Sequence, residues 1–247
     1  SALLLASLFV FPAQGQANSK EEQAEKILNQ MDDMYRGDSS RGKLTMVVNT
    51  EHWNRTIRLE FFSKGEDKSL IRILSPKKEK GTTTLRVAKD MWNYLPKVKR
   101  VIKVPVSMMG GSWMGSHFTN DDLVKQSRMA EDFTYTLSFD GERNGQRVLE
   151  VTCIAKEDAA VVWGKIVVEV RSEDLLPLST RFFDEDLELS RIMTFSDIRL
   201  FGKRKLPAVM TIRPQNKPSE YTQVRYEEVD FDASVADAIF SRRNLER

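Results

Sequence analysis

Few residues of this chain have the types and spacing that catalysis requires. Its 247 residues include one cysteine and two histidines, and no Gly-rich phosphate loop, G-x-S-x-G, H-E-x-x-H or C-x-x-C motif occurs. His117 lies close to Asp121 and Asp122, a combination that suits metal binding or acid–base chemistry. A loop histidine beside a capping aspartate is, however, more often part of a solvated turn. The sequence therefore predicts a non-catalytic protein with no metal site and no cofactor.

The composition excludes further classes of function. The formal net charge is only +2, which argues against a dedicated nucleic-acid binder, because such proteins are usually strongly basic. A single cysteine rules out an internal disulfide framework. Cys153 alternates with Val151 in a strand pattern, so we predict that it is a small residue of the core.

The segment from Ser107 to Phe118 is rich in glycine, methionine and tryptophan and follows neither a helical nor a strand period. Methionine adapts to variable apolar partners, and glycine permits unusual backbone angles. We interpret the segment as a lid beside an apolar cavity; the alternative is a packed loop of the core. The candidate ligand-binding residues are Trp92, Tyr94, Met108, Met109, Trp113, Met114 and Phe118.

A run of basic residues precedes this segment. In an extended strand Lys99 and Lys103 point to one face, whereas Arg100 shares the other face with Val98 and Ile102. The basic face suits contact with anionic head groups or an acidic partner protein. The alternative is an edge strand whose lysines prevent aggregation. An arginine on the apolar side needs an anionic partner. The candidate contact residues are Lys97, Lys99, Arg100 and Lys103.

The chain starts with an uncharged, largely apolar leader, residues 1–17. Its apolar run has the length of a signal-peptide core and is too short to span a bilayer. Gly15 and Ala17 place small residues before a predicted cleavage at Asn18. The alternative is a buried N-terminal strand. We predict export and a single domain over residues 18–247.

The elements that must position these residues follow from periodicity. A helix is predicted from Lys20 to Arg36, with Ser19 as its N-cap and Gly37 at its end. Its apolar residues recur at helical spacing and form one stripe that needs a partner surface. The stripe consists of Ala24, Ile27, Leu28, Met31 and Met34 or Tyr35.

From Gly42 onward the period changes to two, and tight turns separate short strands. Such connections make an antiparallel sheet, because parallel strands need long crossovers. We predict a mainly β (α+β) fold: a half-open barrel of about eleven strands, wrapped around the N-terminal helix and a capped helical segment at Thr119 to Leu123. The last segment, Ala233 to Leu245, is predicted to be a short helix.

The block from Gly81 to Leu123 resembles the bacterial outer-membrane lipoprotein-sorting protein family, relatives of the LolA and LolB lipoprotein carriers. Where the family pattern has an aspartate, this chain has His117. The matching stretches are Gly81-Thr82-Thr83-Thr84-Leu85, Asp90-Met91-Trp92-Asn93-Tyr94-Leu95-Pro96, Lys99-Arg100-Val101, Met109-Gly110-Gly111-Ser112-Trp113-Met114-Gly115-Ser116 and Phe118-Thr119-Asn120-Asp121-Asp122-Leu123, with Val235-Ala236-Asp237-Ala238-Ile239-Phe240 near the end.

The resemblance implies a periplasmic carrier or chaperone. Such a protein holds the acyl chains of a lipoprotein or another lipid in an apolar cavity, for trafficking towards the outer membrane. Its partners are then an inner-membrane transporter and an outer-membrane acceptor, with no nucleic acid, and we expect a monomer. The alternative is an envelope interaction or sensor module, or an accessory protein of an exporter of hydrophobic molecules. An enzyme acting on a lipid is disfavoured, because no nucleophile and base pair is evident.

Overall fold

The computed structural model describes residues 14–125, 132–159 and 161–246. Within these ranges the chain forms one antiparallel sheet of thirteen strands, with helix α1 at Gln14–Arg36 and helix α2 at Asn120–Lys125. Short 3₁₀-helices span Val106–Met108, Trp113–Gly115, Asp237–Phe240 and Arg242–Glu246. The strands are β1 Ser39–Asn49, β2 Asn54–Lys64, β3 Lys68–Ser75, β4 Thr83–Val87, β5 Asp90–Leu95, β6 Arg100–Lys103, β7 Phe133–Arg143, β8 Gln146–Ala155, β9 Lys165–Arg171, β10 Pro177–Phe183, β11 Leu189–Phe201, β12 Arg204–Pro214 and β13 Tyr221–Phe231.

Two meanders make up the curved sheet. Strands β1 to β6 lie side by side in sequence order, as do β7 to β13, and the pairing of β1 with β13 joins the two halves. The sheet therefore has β6 at one edge and β7 at the other. Because the chain must pass from one edge to the other between these two strands, the connection crosses the inner face. Trp113 and Phe118 of this connection belong to the main core cluster together with residues of both halves.

The predicted mainly β fold, a curved antiparallel sheet around helices, is confirmed. The estimate of about eleven strands was low, since the sheet has thirteen. Each segment with a two-residue period forms its own strand, and most of the strands are joined by short turns. The predicted capped segment is also confirmed: Asp122 N donates to Thr119 Oγ1 at 3.1 Å, and Thr119 N donates to Asp122 Oδ2 at 2.7 Å.

Helix α1 packs its apolar stripe, which includes the buried Ala24 and Ile27, against the inner face of the sheet. It ends as predicted at Gly37, whose φ is +59°. The helix begins at Gln14, so Ser19 lies within it and the prediction of an N-cap there was wrong. No proline interrupts the chain between Gln14 and Ser19. Residues 1–13 of the predicted leader lie outside the described residues. No helix in the described ranges is both long enough and apolar enough to cross a bilayer.

The outer face of strands β3 to β6 carries a second apolar cluster. The closing segment covers it, as two 3₁₀-helices rather than the single short helix that we predicted. Phe240 and Leu245 of this segment pack with Leu70 and Leu85 of the sheet. The sheet is therefore apolar on both faces in this half of the molecule.

Candidate functional site

A cavity of about 310 Å³ lies between helices α1 and α2 and the inner face of the sheet. This volume is at the lower end of the ~300–1,000 Å³ that is usual for small-ligand sites, so the cavity suits one slender ligand. Its lining is mostly apolar and comes from both halves of the sheet. Apolar lining residues include Leu28, Met31, Leu44, Met46, Leu59, Phe61, Ile71, Leu123, Val168, Met193, Phe195, Met210 and Val224.

Two of the predicted ligand-binding residues, Trp113 and Phe118, line this cavity. They belong to residues 105–123, which we call the plug because this segment crosses the inner face. Trp113 N donates to Phe118 O at 2.8 Å, and Trp113 Nε1 donates to Thr84 Oγ1 at 3.1 Å. These bonds hold both rings at one end of the cavity.

The methionines of the plug do not line the cavity. Met109 and Met114 are half-buried and pack against the core, while Met108 is 58% exposed. Met114 has a left-handed φ of +53°, and its carbonyl accepts a hydrogen bond from Arg55. The structure thus corrects the interpretation that methionines face a ligand: the plug reaches the cavity through its aromatic residues.

Trp92 and Tyr94 lie on the other side of the sheet. Thr84 Oγ1 donates to Asn93 Oδ1 at 2.7 Å, so Asn93 shares the inner face with Thr84 and the ring of Trp113. Its neighbours Trp92 and Tyr94 then point outward, because side chains alternate along a strand. There they pack with the closing segment. The expectation that they line the cavity is corrected, since alternation alone does not tell which face is the inner one.

The basic run lies at an edge of the sheet, in accordance with the edge-strand alternative. Strand β6 begins only at Arg100, after a turn in which Lys99 has a φ of +49°. Lys97 and Lys99 lie in this turn, and Lys103 Nζ pairs with Asp90 Oδ1 at 2.8 Å. Arg100 is exposed, so its predicted place on a buried apolar side was wrong. The reason is that this side of the four-residue edge strand faces the solvent, where Ile102 is 46% exposed.

A buried ion pair fixes the plug to the sheet, and it was not predicted. Arg191 of β11 donates from Nη2 to Asp122 Oδ1 at 2.6 Å and from Nη1 to His117 O at 2.7 Å. Its guanidinium lies 4.3 Å from the ring centroids of both Trp163 and Phe182. A lone arginine in a strand pattern gave no sequence signal for this contact, because its partner lies 69 residues away.

His117 is half-buried and bonded, so the expectation of a solvated turn was wrong. Its Nδ1 lies 2.8 Å from Thr222 Oγ1, and its Nε2 lies 3.1 Å from Glu220 Oε2. The hydrogen bond from His117 is the main reason that the pKa of Glu220 lies below its ordinary value. The contact joins the plug to the start of β13.

The opposite end of the cavity is polar. Asp32 and Arg36 come from the last turns of α1, Ser40 and Ser63 from β1 and β2, and Arg86 from β4. We call these five residues the polar end. Arg36 Nη2 donates to Asp32 Oδ1 at 2.5 Å, and Ser40 and Ser63 share a hydrogen bond of 2.7 Å. Burial raises the pKa of Asp32 from 3.8 to about 6, although the charges of Arg36 and Arg86 lower it.

The polar end of the cavity and the plug lie near opposite ends of strand β1. Ser40 of the polar end is near its beginning, whereas Thr222, the partner of the plug, pairs with Val48 near its other end. The exposed Gly65 also lines the cavity beside the polar end. The cavity therefore reaches the surface at the polar end and is closed by the plug at the other.

The mostly apolar lining suits contact with an apolar chain. Burial raises the pKa of the Cys153 thiol to about 12, which makes it a poor nucleophile, and its predicted place in the core is confirmed. In the described parts of the chain, no group of three or more His, Cys, Asp or Glu side chains is placed to hold a metal ion.

Sequence comparisons indicate the family to which the chain belongs. A family model described as that of an uncharacterized protein matches residues 65–247, well over half of the chain. A search of the curated proteins finds no match.

Solved structures share the fold. A DUF1329 family protein from Desulfovibrio piger superposes with a TM-score of 0.83 at 21% identity, over 92% of this chain and 99% of that one. A domain described as an outer membrane lipoprotein-sorting protein, from Vibrio parahaemolyticus, gives 0.79 at 23% identity, over 91% and 100%. A LolA superfamily protein from Nitrosomonas europaea gives 0.76 at 18% identity, over 89% and 98%. The chain belongs to the family whose model matches residues 65–247, and it shares the fold of LolA-like proteins, in agreement with the resemblance inferred from the motifs.

Proposed function

We propose that this protein is a non-catalytic carrier that holds an acyl chain of a lipid or lipoprotein in its cavity. The observation that carries the proposal is the apolar space of about 310 Å³ enclosed by the sheet, α1 and the plug. The description of the Vibrio relative as a lipoprotein-sorting domain supports the same class of cargo.

The size of the cavity supports a single chain of moderate length. If a methylene group occupies about as much space as a water molecule, ~30 Å³, the cavity accepts roughly ten of them. Burial of each contributes ~0.8 kcal/mol, which gives about 8 kcal/mol before the costs of association. We therefore expect dissociation constants that are roughly micromolar or weaker. A cargo with several long chains requires the cavity to widen.

The proposed setting is the periplasm. It rests on the leader-like residues 1–17 of the sequence and on the similarity to an outer membrane lipoprotein-sorting domain. In this setting the carrier receives its cargo at the inner membrane and delivers it to an acceptor at the outer membrane, as a monomer.

A substitution that fills the cavity tests the proposal. Val224 lines the cavity and is buried, so Val224→Phe places a ring where the chain is expected to lie. We expect at least tenfold weaker binding of decanol, measured by displacement of a fluorescent fatty-acid probe. Val98→Phe, at a position that is 57% exposed, is the matched control and should bind as the wild type does. Equal binding by both variants, with unchanged thermal unfolding, contradicts the proposal.

A second candidate function is docking at the β5–β6 edge, as expected of an interaction module. Lys97, Lys99 and Arg100 are exposed there, and among the described residues they form no ion pair. Val98 and Ile102 beside them are 57% and 46% exposed. Cations interleaved with exposed aliphatic side chains suit an anionic membrane surface.

Vesicle sedimentation tests this second function. The triple change Lys97→Glu, Lys99→Glu, Arg100→Glu should abolish binding to vesicles of anionic lipid while decanol binding is retained. The control changes Lys20, Lys26 and Lys203 to Glu; these lysines are exposed elsewhere, so the net charge falls equally. If both triple variants lose binding to the same extent, the effect is one of net charge and the edge is not a docking surface.

A further inference from the structure

The polar end of the cavity concentrates charge where the proposed acyl chain meets the solvent. Arg86 is 6% exposed, and the Arg36 side chain is 13% exposed, so both cations are largely removed from water. Both donate to the backbone carbonyl of Glu66, which brings the two guanidinium groups to one place. Arginine is the residue best suited to bind carboxylate or phosphate oxygens through several donors.

The anions around these two arginines decide what else can bind there. Asp32 pairs with Arg36 and lines the cavity, while Glu66 is exposed and its charge acts on Asp32 from the solvent side. Asp33 points away and pairs with Arg204 at 2.9 Å. The last carbonyls of α1 add a partial negative charge of about half a unit. Lys68 also lines the cavity, and it pairs with Asp237 at 2.9 Å. Ionised Asp32 offsets part of the positive charge of the arginines, so the site attracts an anion more strongly when Asp32 is neutral.

We propose that the polar end binds the anionic head group of a single-chain amphiphile, and that the head group replaces Asp32 as the partner of Arg36 and also contacts Arg86. The inference rests on the proposed carrier function and adds to it the chemical class of the ligand. The tail of the amphiphile occupies the apolar part of the cavity, and Ser40 and Ser63 complete the polar surroundings of the head group.

Binding is then coupled to uptake of a proton by Asp32. Its pKa of about 6 already shows that burial disfavours the ionised form. An anion placed beside the carboxylate raises this pKa further, so Asp32 takes up a proton when the ligand binds. By linkage, an anionic amphiphile binds more tightly as the pH falls from 8 towards 6.

The test compares amphiphiles with the same tail and different head groups. Decanesulfonate remains charged at every pH used, decanol is neutral, and both are measured by displacement of a fluorescent fatty-acid probe. At pH 6 we expect decanesulfonate to bind roughly tenfold more tightly than decanol, and this preference should decline by pH 8. Decanoate and decyl phosphate then identify whether a carboxylate or a phosphate fits better.

Two variants should act in opposite directions. Arg86→Met should remove most of the preference for decanesulfonate, and Asp32→Asn should increase the affinity for decanesulfonate at pH 8 and abolish its dependence on pH. Arg72→Met is the control: Arg72 is a half-buried arginine of β3 that pairs with Glu60 at 3.0 Å and bonds the closing segment on the outer face. Retained binding of decanol shows in each case that the cavity is intact.

The outcomes separate this inference from the carrier function. If neither decanol nor decanesulfonate binds, the proposed carrier function fails and the inference fails with it. If both bind equally at every pH, or if Arg72→Met has the same effect as Arg86→Met, the carrier function stands and the head-group site is overturned.

Discussion

The two ends of the cavity each contain one Asp–Arg pair, yet the pairs differ in how deeply they are buried and in what surrounds them. At the plug, Asp122 and Arg191 lie 2.6 Å apart, with 10% and 5% of their side chains exposed. At the polar end, Asp32 and Arg36 lie 2.5 Å apart, with 24% and 13% exposed. The more deeply buried pair is at the closed end.

The surroundings explain the difference. Arg191 lies between two aromatic rings and also donates to His117 O, while Asp122 also accepts the capping bond of α2. Asp32 has fewer compensating contacts, and burial raises its pKa in spite of Arg36. Buried carboxylates with raised pKa values concentrate at functional sites, whereas a buried ion pair held by several further contacts stabilises structure. We therefore infer a structural role for the plug and a binding role for the polar end.

Replacement of Arg191 should give the largest loss of stability of the changes considered, if the plug has a structural role. Arg191→Met leaves Asp122 as a buried carboxylate without its cation, which typically costs about 3–5 kcal/mol of unfolding free energy. Urea denaturation followed by tryptophan fluorescence measures this loss. The plug should also become more accessible to proteases, because its link to β11 is gone.

Arg199→Met is the matched control on the same strand. Arg199 pairs with Asp197 at 2.7 Å, but its side chain is 49% exposed, and exposed pairs contribute only about 0–1 kcal/mol. Equal losses for the two variants contradict the structural role assigned to the plug pair.

Replacing Asp32 by a neutral residue should raise the free energy of unfolding, whereas replacing Arg191 should lower it. Because folding raises the pKa of Asp32 from 3.8 to about 6, the ionised form is disfavoured in the folded protein. The resulting stabilisation of the protonated protein is fully present below pH 3.8 and is lost as the pH rises through about 6. Asp32→Asn should therefore unfold at higher urea than the wild type at pH 7.5, by on the order of 1–2 kcal/mol after allowance for partial solvent screening.

The neighbouring Asp33 is the control for this prediction. It pairs with Arg204 on the solvent side of α1, and 66% of its side chain is exposed. Asp33→Asn should give no gain in stability at any pH. A gain equal to that of Asp32→Asn, or a gain from Asp32→Asn that persists at pH 4, is incompatible with the unfavourable burial of the Asp32 carboxylate.

The sequence was sufficient to locate the plug but not the polar end. The plug stands out because its composition follows no period, and the sheet needs a connection from edge to edge there. Asp32 and Arg36 have the i, i+4 spacing of an ordinary exposed helix pair, and Arg86 follows them only after three strands. These three residues come close together only because the whole sheet is curved, and no local sequence pattern predicts that curvature.

The errors about Trp92, Tyr94 and Arg100 have a related cause. Alternation correctly separates residues into two faces, but the choice of inner face depends on what covers each side. The closing segment makes the outer face of β5 apolar, so Trp92 and Tyr94 fit there as well as in a cavity. Arg100 belongs to an edge strand whose apolar neighbours lie in the solvent.

The contact between His117 and Glu220 should have the smallest effect on stability, and its dependence on pH tests whether charge helps to hold the plug. Glu220 accepts from Glu51 N at 3.2 Å and lies near Lys217, and with the His117 bond these contacts lower its pKa below 4.5. A depressed pKa stabilises the folded state above the unfolded value and ceases to do so as the pH falls through the folded value. Glu220→Gln should therefore lower the thermal midpoint at pH 7, and the difference should shrink below about pH 4.5.

Glu228→Gln supplies the comparison for this last effect. Glu228 lies on β13, which Glu220 directly precedes, and pairs with Lys43 at 3.0 Å, but 69% of its side chain is exposed. Its replacement should leave the thermal midpoint almost unchanged at both pH values. If Glu220→Gln gives the same difference at pH 7 and pH 3.5, the contact acts through packing and not through charge. In that case the plug is held by Arg191 and its hydrogen bonds alone, and acidification does not loosen the closed end of the cavity.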